Sequence, residues 1–470
     1  HISALVNVNG TIGRGSSAVD LNAIPVAAIE RVEVLRDGAS AQYGSDAIAG
    51  VVNIVLKGAG KGGSLTLGGG EYSEGDGRQW QVSGDAGVTL GGGAGELHVA
   101  AQAGHQDPTN RSGTYQGSAP NTGNFPGVGE KAFKLGDPEV DQFAVSANAN
   151  LHVTDNVDLY ATVIGSNRDI TSFAFYRSKN HSGQGALLAQ VYPNGYVPEI
   201  NQDSRDRSVV LGARGTSAGG WNWDLSYNFG ENDLDFHTQN TINYSLGASS
   251  PRRFHDGTLR YRQDVINADL SKAIDIGLEY PATLSLGAEH RQEQWEQTAG
   301  EPNSYAGSGA QGFAGFTPRN AGEYDRDSFA VYAGLEADLT DKFSAGIAGR
   351  YEDYSDFGNQ TSGKLSARYA FSDAVALRGT VASGFRAPSL AQQNYQAVTT
   401  NINNSVVTET GTFPVTGAAA QALGAEPLQA ETSLSYSLGL VLQPAERVYV
   451  TVDAYQIAID DRIVLSSNLN

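Results

Sequence analysis

Residues 143–153 read FAVSANANLHV, and the spacing of their apolar side chains sets the kind of fold the chain can have. In a strand, successive side chains point to opposite faces. Phe143, Val145, Ala147, Ala149, Leu151 and Val153 therefore share one face, and Ser146, Asn148, Asn150 and His152 share the other. The pattern returns further on, where Phe329, Val331, Ala333, Leu335, Ala337 and Leu339 oppose Ser328, Tyr332, Glu336 and Asp338. From about Gly63 onward, segments of roughly ten to fifteen residues repeat this alternation, which predicts long antiparallel strands with one apolar and one polar face.

Composition says where such strands can live. Only 17% of the 470 residues are charged, with 58 Gly, 21 Tyr, 16 Phe, no Cys and a formal charge of −20. A soluble domain carries about a quarter charged residues. No stretch approaches the ~18 consecutive apolar residues of a membrane helix; the longest apolar run, Gly50 to Leu56, is interrupted by Asn53. A helical membrane protein is thus excluded. A closed β-barrel needs only about ten residues per strand, every second one apolar, and meets all these observations together. The acidic balance argues against nucleic acid as a partner, since phosphates would be repelled.

The connections support a barrel in an outer membrane. Tight turns fall at Gly91–Gly95, Thr154–Asn156, Ala218–Gly220, Thr340–Lys342, Ser372–Ala374 and Gln443–Glu446, and long irregular loops alternate with them at about 107–139, 171–203, 237–257, 299–322 and 385–429. Outer-membrane barrels have this asymmetry, with short periplasmic turns and long outer loops. About fifteen strands are expected. No repeat of 20–50 residues is visible, which disfavours a solenoid or propeller.

Residues 1–57 differ in texture. Ile29 to Arg36 reads as a short strand with one charged face, Asp37-Gly38 as a turn, Ala39 to Gly50 as a small-residue segment and Val51 to Leu56 as a second strand. Residues 20–57 as a whole, DLNAIPVAAIERVEVLRDGASAQYGSDAIAGVVNIVLK, closely resemble the C-terminal half of the plug of TonB-dependent receptors. The elements that carry the resemblance are Ile24-Pro25, Ile29–Arg36, Tyr43–Ile54 and the closing Lys57. Ala382 to Leu390 (ASGFRAPSL) resembles the family's "SGFRAPSL" segment, and Leu428 to Gly439 resembles its "L-x-P-E-x-S-x-x-Y-E-x-G" strand, with Ala430 in place of Pro and Ser437 in place of an acid. Asp461-Arg462-Ile463 fits the "DRI" that often follows.

The resemblance implies an all-β membrane barrel, antiparallel, with about 15 of an expected 22 strands present and a small α/β plug in its lumen. It places a partial plug at 1–57 and a partial barrel at 63–470. The chain opens at His1 without a signal peptide and contains no Met, two signs of an incomplete chain, and the resemblance implies that the TonB box, the first half of the plug and the last strands are missing; two sheet edges would then be left without partners. The implied function is TonB-dependent active uptake of a scarce nutrient complex, of siderophore, cobalamin or oligosaccharide class, across the bacterial outer membrane. Its partners would be TonB, outer-membrane lipid and that ligand. A passive porin is the alternative, and a soluble Gly-rich adhesin or passenger domain a weaker one. No G-x-S-x-G elbow or P-loop points to an enzyme or a cofactor.

Individual residues follow from these expectations. Glu30, Arg31, Glu33 and Arg36 cannot all be buried unpaired, and by resemblance Arg31 or Arg36 meets inward-facing barrel glutamates, with Glu431 the best-matched partner. The alternative is a set of solvated charges on a small α/β unit. Tyr192, Tyr196, Phe313 and Phe316 in the long loops are candidates for ligand contact, while Phe173, Phe175 and Tyr176 read equally as part of an interfacial girdle. Asp353 with Asp356, and Glu71 with Glu74 and Asp76, lack the spacing of a calcium loop. His237 and His255 are read as distant members of one loop, unable to share a metal, and no metal site is expected.

Overall fold

The computed structural model describes residues 19–35, 38–58, 62–117, 127–403 and 406–466. Two strands, β1 (Ile29–Leu35) and β2 (Val51–Leu56), form a small antiparallel sheet. A one-turn helix, α1 (Ser40–Tyr43), sits between them. The rest is dominated by one antiparallel sheet of 15 strands. In chain order these are β3 (Gly63–Gly70), β4 (Gln79–Leu90), β5 (Gly95–Gln106), β6 (Glu139–Thr154), β7 (Val157–Phe173) and β8 (Glu199–Thr216). There follow β9 (Asn222–Gln239), β10 (Arg253–Ile274), β11 (Ala282–Gln297), β12 (Gly322–Thr340), β13 (Phe343–Tyr354), β14 (Gly358–Ser372) and β15 (Val375–Arg386). A separate hairpin, β16 (Ala397–Asn403) with β17 (Val406–Thr412), interrupts the sequence before β18 (Glu431–Ala445) and β19 (Val448–Asp460) complete the sheet.

Sequential neighbours pair throughout, apart from the β16–β17 detour, so the meander expected from the alternation is the one observed. The six tight turns occur between the strands where they are expected, and 275–281, between β10 and β11, adds a seventh at the same end. Long connections cluster at the other end, except that β13 and β14 are joined there by 355–357 alone.

The two faces are inverted relative to a soluble sheet. Phe143, Leu211 and Ile347 are 51%, 50% and 60% exposed, whereas Ser146 and Asp206 are only 7% and 2% exposed. Apolar side chains thus line the convex outside and polar ones the interior, as lipid outside and a wet lumen inside require. No helix among the described residues is long and apolar enough to cross a membrane.

Two hydrogen bonds establish the curvature. The Ser433 hydroxyl of β18 donates to the Ile48 carbonyl at 3.1 Å, and the Lys57 ammonium donates to Asp85 of β4 at 3.2 Å. In a flat sheet, the twelve strand-to-strand steps from β4 to β18 would span about 58 Å. Nine residues of main chain reach at most about 32 Å. The sheet must therefore wrap around the segment that bridges it, with β1, β2 and α1 inside the curve.

A charge placed on the outward face should be costly. Val163, mid-strand in β7 and 44% exposed on that face, tests this. Val163→Arg is expected to destabilise the barrel by about 2–4 kcal/mol in urea unfolding in micelles; an unchanged midpoint would show that this face does not meet lipid.

Candidate functional site

The inward ends of β11, β12 and β13 carry alternate charged residues that one strand alone could not neutralise. Glu289 and Arg291 of β11 pair at 2.7 Å, Glu289 also meets Arg350 of β13 at 3.2 Å, and Arg350 in turn pairs with Glu352. The Tyr354 hydroxyl donates to Glu352 at 2.6 Å. A second group lies beside it, where Arg326 of β12 donates to Glu293 at 2.5 and 2.8 Å and Tyr261 donates to the same carboxylate at 2.5 Å. The Arg350 side chain is 1% exposed and that of Arg326 4%. Buried at this depth, each guanidinium is tolerable only because opposing carboxylates surround it.

The segment Gly38 to Ile48 rests on this wall. At Gly44 (φ +89°) an added Cβ would lie 3.3 Å from Arg350 Nη2, so glycine serves both the left-handed backbone and the close approach. Ser45 hydrogen bonds to Tyr354. Asp46 faces Arg386 of β15 at 3.8 Å, and Arg386 faces Glu431 of β18 at 4.0 Å. A Cβ at Gly384 would collide with the Ser40 hydroxyl, and one at Gly38 would lie 2.5 Å from Ser435 Oγ. The Ala382–Leu390 segment joins the wall to the loops above: the Pro388 carbonyl accepts from Arg326 at 2.7 Å, and Ser389 and Gln392 form a capping box that starts a helix at Leu390–Asn394.

The opposite side of the inner sheet is held by different groups. Asp20 pairs with Arg168 of β7, the Val26 N–H donates to Gln102 of β5 at 3.0 Å, and Lys57 meets Asp85, which also bonds to the buried His98 at 2.9 Å.

The residues singled out from the sequence fall differently. Arg31 pairs with Glu33 at 2.7 Å and lies 4.0 Å from Glu30; Glu33 also accepts from Asn53 at 2.9 Å. These charges meet one another on β1 and β2. Arg36 lies outside the described residues. Glu431 is inward and buried, and the plug residue it approaches through Arg386 is Asp46. Arg291, Arg350 and Glu352 are not singled out by the sequence reading, although their alternation within EHRQE and RYEDY carries the signal for inward charges; Arg326, in YDRD, is likewise not singled out.

The long-loop aromatics form two packed clusters. Phe316, 1% exposed, meets Phe236, Phe313 and Tyr395 edge-on and belongs to a core with Trp295, Leu259 and Leu390. Tyr196, 5% exposed, stacks on Tyr192 at 4.1 Å, shares a core with Leu188 and Ile242, and hydrogen bonds to Tyr244 at 3.0 Å. Burial gives Phe316 and Tyr196 the task of shaping the loops. Phe313 and Tyr192 are only partly buried at the margins of these cores. His181 belongs to the second cluster, its Nδ1 3.0 Å from the Tyr244 hydroxyl. Burial, assisted by the charge of Arg177, holds its pKa down to about 4.

Comparison with known proteins places this geometry. Residues 161–470 match the family model described as TonB dependent receptor-like, beta-barrel, and residues 3–51 match that of the TonB-dependent Receptor Plug Domain. The ferrienterobactin receptor of Escherichia coli (strain K12) is 24% identical over 477 residues, covering 92% of this chain and 56% of that protein. The ferric enterobactin receptor PirA of Pseudomonas aeruginosa is 23% identical over 475 residues, covering 92% and 55%. Among solved structures, the siderophore receptor PirA from Acinetobacter baumannii superimposes with a TM-score of 0.64 at 17% identity, covering 96% of this chain and 60% of that one. A mutant of the ferric enterobactin receptor PfeA from Pseudomonas aeruginosa, in complex with enterobactin, gives 0.66 at 18%, covering 95% and 61%. The chain spans just over half the length of the curated relatives it matches.

Two expectations follow from the site. Arg350→Met leaves Glu289 and Glu352 without their shared cation and should cost about 3–5 kcal/mol in urea unfolding, partly restored by adding Glu352→Gln; an unaltered unfolding curve would contradict the buried pairing. The second concerns pH. Because the folded pKa of His181 is depressed below its ordinary 6.5, the unfolded loop binds the proton more readily between pH 6.5 and 4. The loop contact is therefore complete above pH 6.5, weakens as pH falls through that window and loses nothing further below it. Amide protection factors across 181–196, corrected for the intrinsic pH dependence of exchange, should be lower at pH 4.5 than at pH 7; equal protection factors would refute this.

Proposed function

The chain belongs to the TonB-dependent receptors of the bacterial outer membrane, and on that premise we propose that the protein imports a ferric siderophore, driven by TonB. The observation that carries the reading is the polar seat of the plug. Asp46, Gly44, Ser40 and Lys57 meet the wall through ion pairs, hydrogen bonds and glycine contacts. An apolar interface would cost its full buried area to separate. A polar one exchanges partners with lumen water, and the desolvation recovered offsets much of the attraction lost. Such a seat suits an element that must be shifted to let a ligand pass.

The siderophore class is supported by the relatives, which are named as receptors for ferric enterobactin, and by the charge of three of the connections. Segments 174–198, 240–252 and 298–321 together contain Arg177, Lys179, Arg252 and Arg319 against the single acid Glu301, in a chain whose overall charge is −20. These three connections form a cationic patch among outer connections that are otherwise acidic, and such a patch favours an anionic ligand such as a ferric catecholate.

Uptake of radioactive iron by cells expressing the whole receptor, with and without TonB, tests the proposal. Ferric catecholate should enter only in the presence of TonB, and Lys179→Glu should weaken its binding. Entry independent of TonB, or transport of cobalamin or an oligosaccharide in place of the iron complex, would overturn it.

A further inference from the structure

The sequence places His237 and His255 far apart in a loop; the structure corrects this. They lie on adjacent strands as a direct cross-strand pair of β9 and β10, with ring centroids 5.0 Å apart. A β-bulge causes the juxtaposition. Between His255 and Gly257 the register slips by one residue, Asp256, and Gly257 takes φ +110°. Below the bulge, the outward residues of β10 are even-numbered, with Thr258 opposite Asp235 and Arg260 opposite Asp233. Strict alternation would turn His255 into the lumen. The extra residue re-aims it outward, beside His237.

We propose that Asp235, His237 and His255 bind a divalent transition-metal ion, of the zinc class, on the outer surface of the barrel. One ligand atom from each of the three lies within 4.8 Å of those of the others. Two imidazoles and one carboxylate are a borderline donor set that favours Zn²⁺ and its neighbours over Ca²⁺ or Mg²⁺, and three protein ligands leave a fourth position for water. The His255 Nε2 stands 2.7 Å from Asp235 Oδ1, a hydrogen bond whose proton the metal would replace.

Hydrogen bonding within the protein leaves this cluster incomplete. Nδ1 of His237 and Oδ1 of Asn201, cross-strand neighbours of β9 and β8, are buried atoms without a partner. Asp203, paired across the strands with Asp235, supplies a second negative charge for a dication. Arg253, beyond His255 on β10, is the cation that opposes it. Among the described residues a second His-and-acid group, His105 with Glu139 and Asp141, is different: its two ring nitrogens are taken by Asp141 at 2.8 Å and Asp107 at 3.1 Å.

The triad is outside the lipid. Going down the strands, the outward rows stay charged through Asp233–Arg260 and Glu231–Arg207 before turning apolar at Phe229 and Val209. The ion would bind from the external medium and clamp the hairpin at the base of the 240–252 connection. This inference rests on the β9–β10 register alone and stands or falls separately from the transport reading.

Zinc binding to the detergent-solubilised receptor, purified without a histidine tag, tests the site by competition with a chromophoric chelator. About one equivalent should bind, undiminished by millimolar Ca²⁺ or Mg²⁺. His237→Ala and His255→Ala should each weaken it at least about tenfold, while His105→Ala leaves it unchanged. Co²⁺ substitution should give visible absorption that both triad variants lose. Heat-modifiable migration verifies that each variant is folded. Zinc binding equal in the wild type and the His237→Ala/His255→Ala double variant, or no binding by the wild type, would overturn the proposal.

Discussion

Hydrocarbon offers the backbone no hydrogen bonds, so every N–H and C=O that crosses it must be satisfied by the protein itself. The rest of this structure follows from that constraint. A chain with no long apolar run can comply only by pairing strand with strand, and the 15 strands pair in sequence for that reason. Alternation then forces a second consequence. If every other residue faces lipid and is apolar, the remainder must be polar and face inward, and a polar interior has to be neutralised. Glu289, Arg291, Arg326, Arg350 and Glu352 are that inward half, arranged so that each cation touches a carboxylate.

The plug meets this wall on the wall's own terms. Where an apolar core would interlock, the seam is built from small residues and single polar contacts: Gly38 against Ser435, Ser40 against Gly384, Gly44 against Arg350. Close backbone approach supplies shape complementarity without large buried area. The ionic network lies mainly within the wall, with Asp46 and Lys57 reaching it from the plug. Moving the plug therefore leaves most of the strong pairs intact, since Arg350 and Arg326 keep their partners on β11 and β13.

What the sequence could tell divides along the same line. Strand number, turn positions and the inverted faces were legible because they depend on the local period of two, visible in FAVSANANLHV and again at 328–339. The plug was legible through its long run of matching residues. Side-chain partners were not, because pairing depends on register between strands distant in sequence. Of the two arginines expected to reach the wall, Arg36 lies outside the described residues and Arg31 pairs with Glu33, two positions along its own strand. The loop aromatics read as candidates for ligand contact because they stand in long irregular loops; their burial comes from contacts between connections that no single segment reveals. His255 was hidden most completely, since one bulged residue reverses the face that alternation assigns.

That bulge connects the two sides of the barrel wall. On the outside it sets His255 against His237. On the inside, the carbonyl of the bulged Asp256 accepts from the Phe316 N–H at 2.8 Å, anchoring the ring at the centre of the aromatic core beneath the loops. Gly257 is confined there, for a Cβ would lie 2.4 Å from the Thr298 carbonyl and 2.9 Å from the Phe316 ring. A bulge carries fewer ladder hydrogen bonds than the regular strand beside it, so alone it is the weak point of the hairpin. Side-chain contacts on both faces offset that weakness: Phe236, Phe316 and Trp295 within, and Asp235, bound to both Thr258 and His255, without. The shape of the loop roof is thereby tied to a cluster on the outer surface, through a single residue of extra backbone.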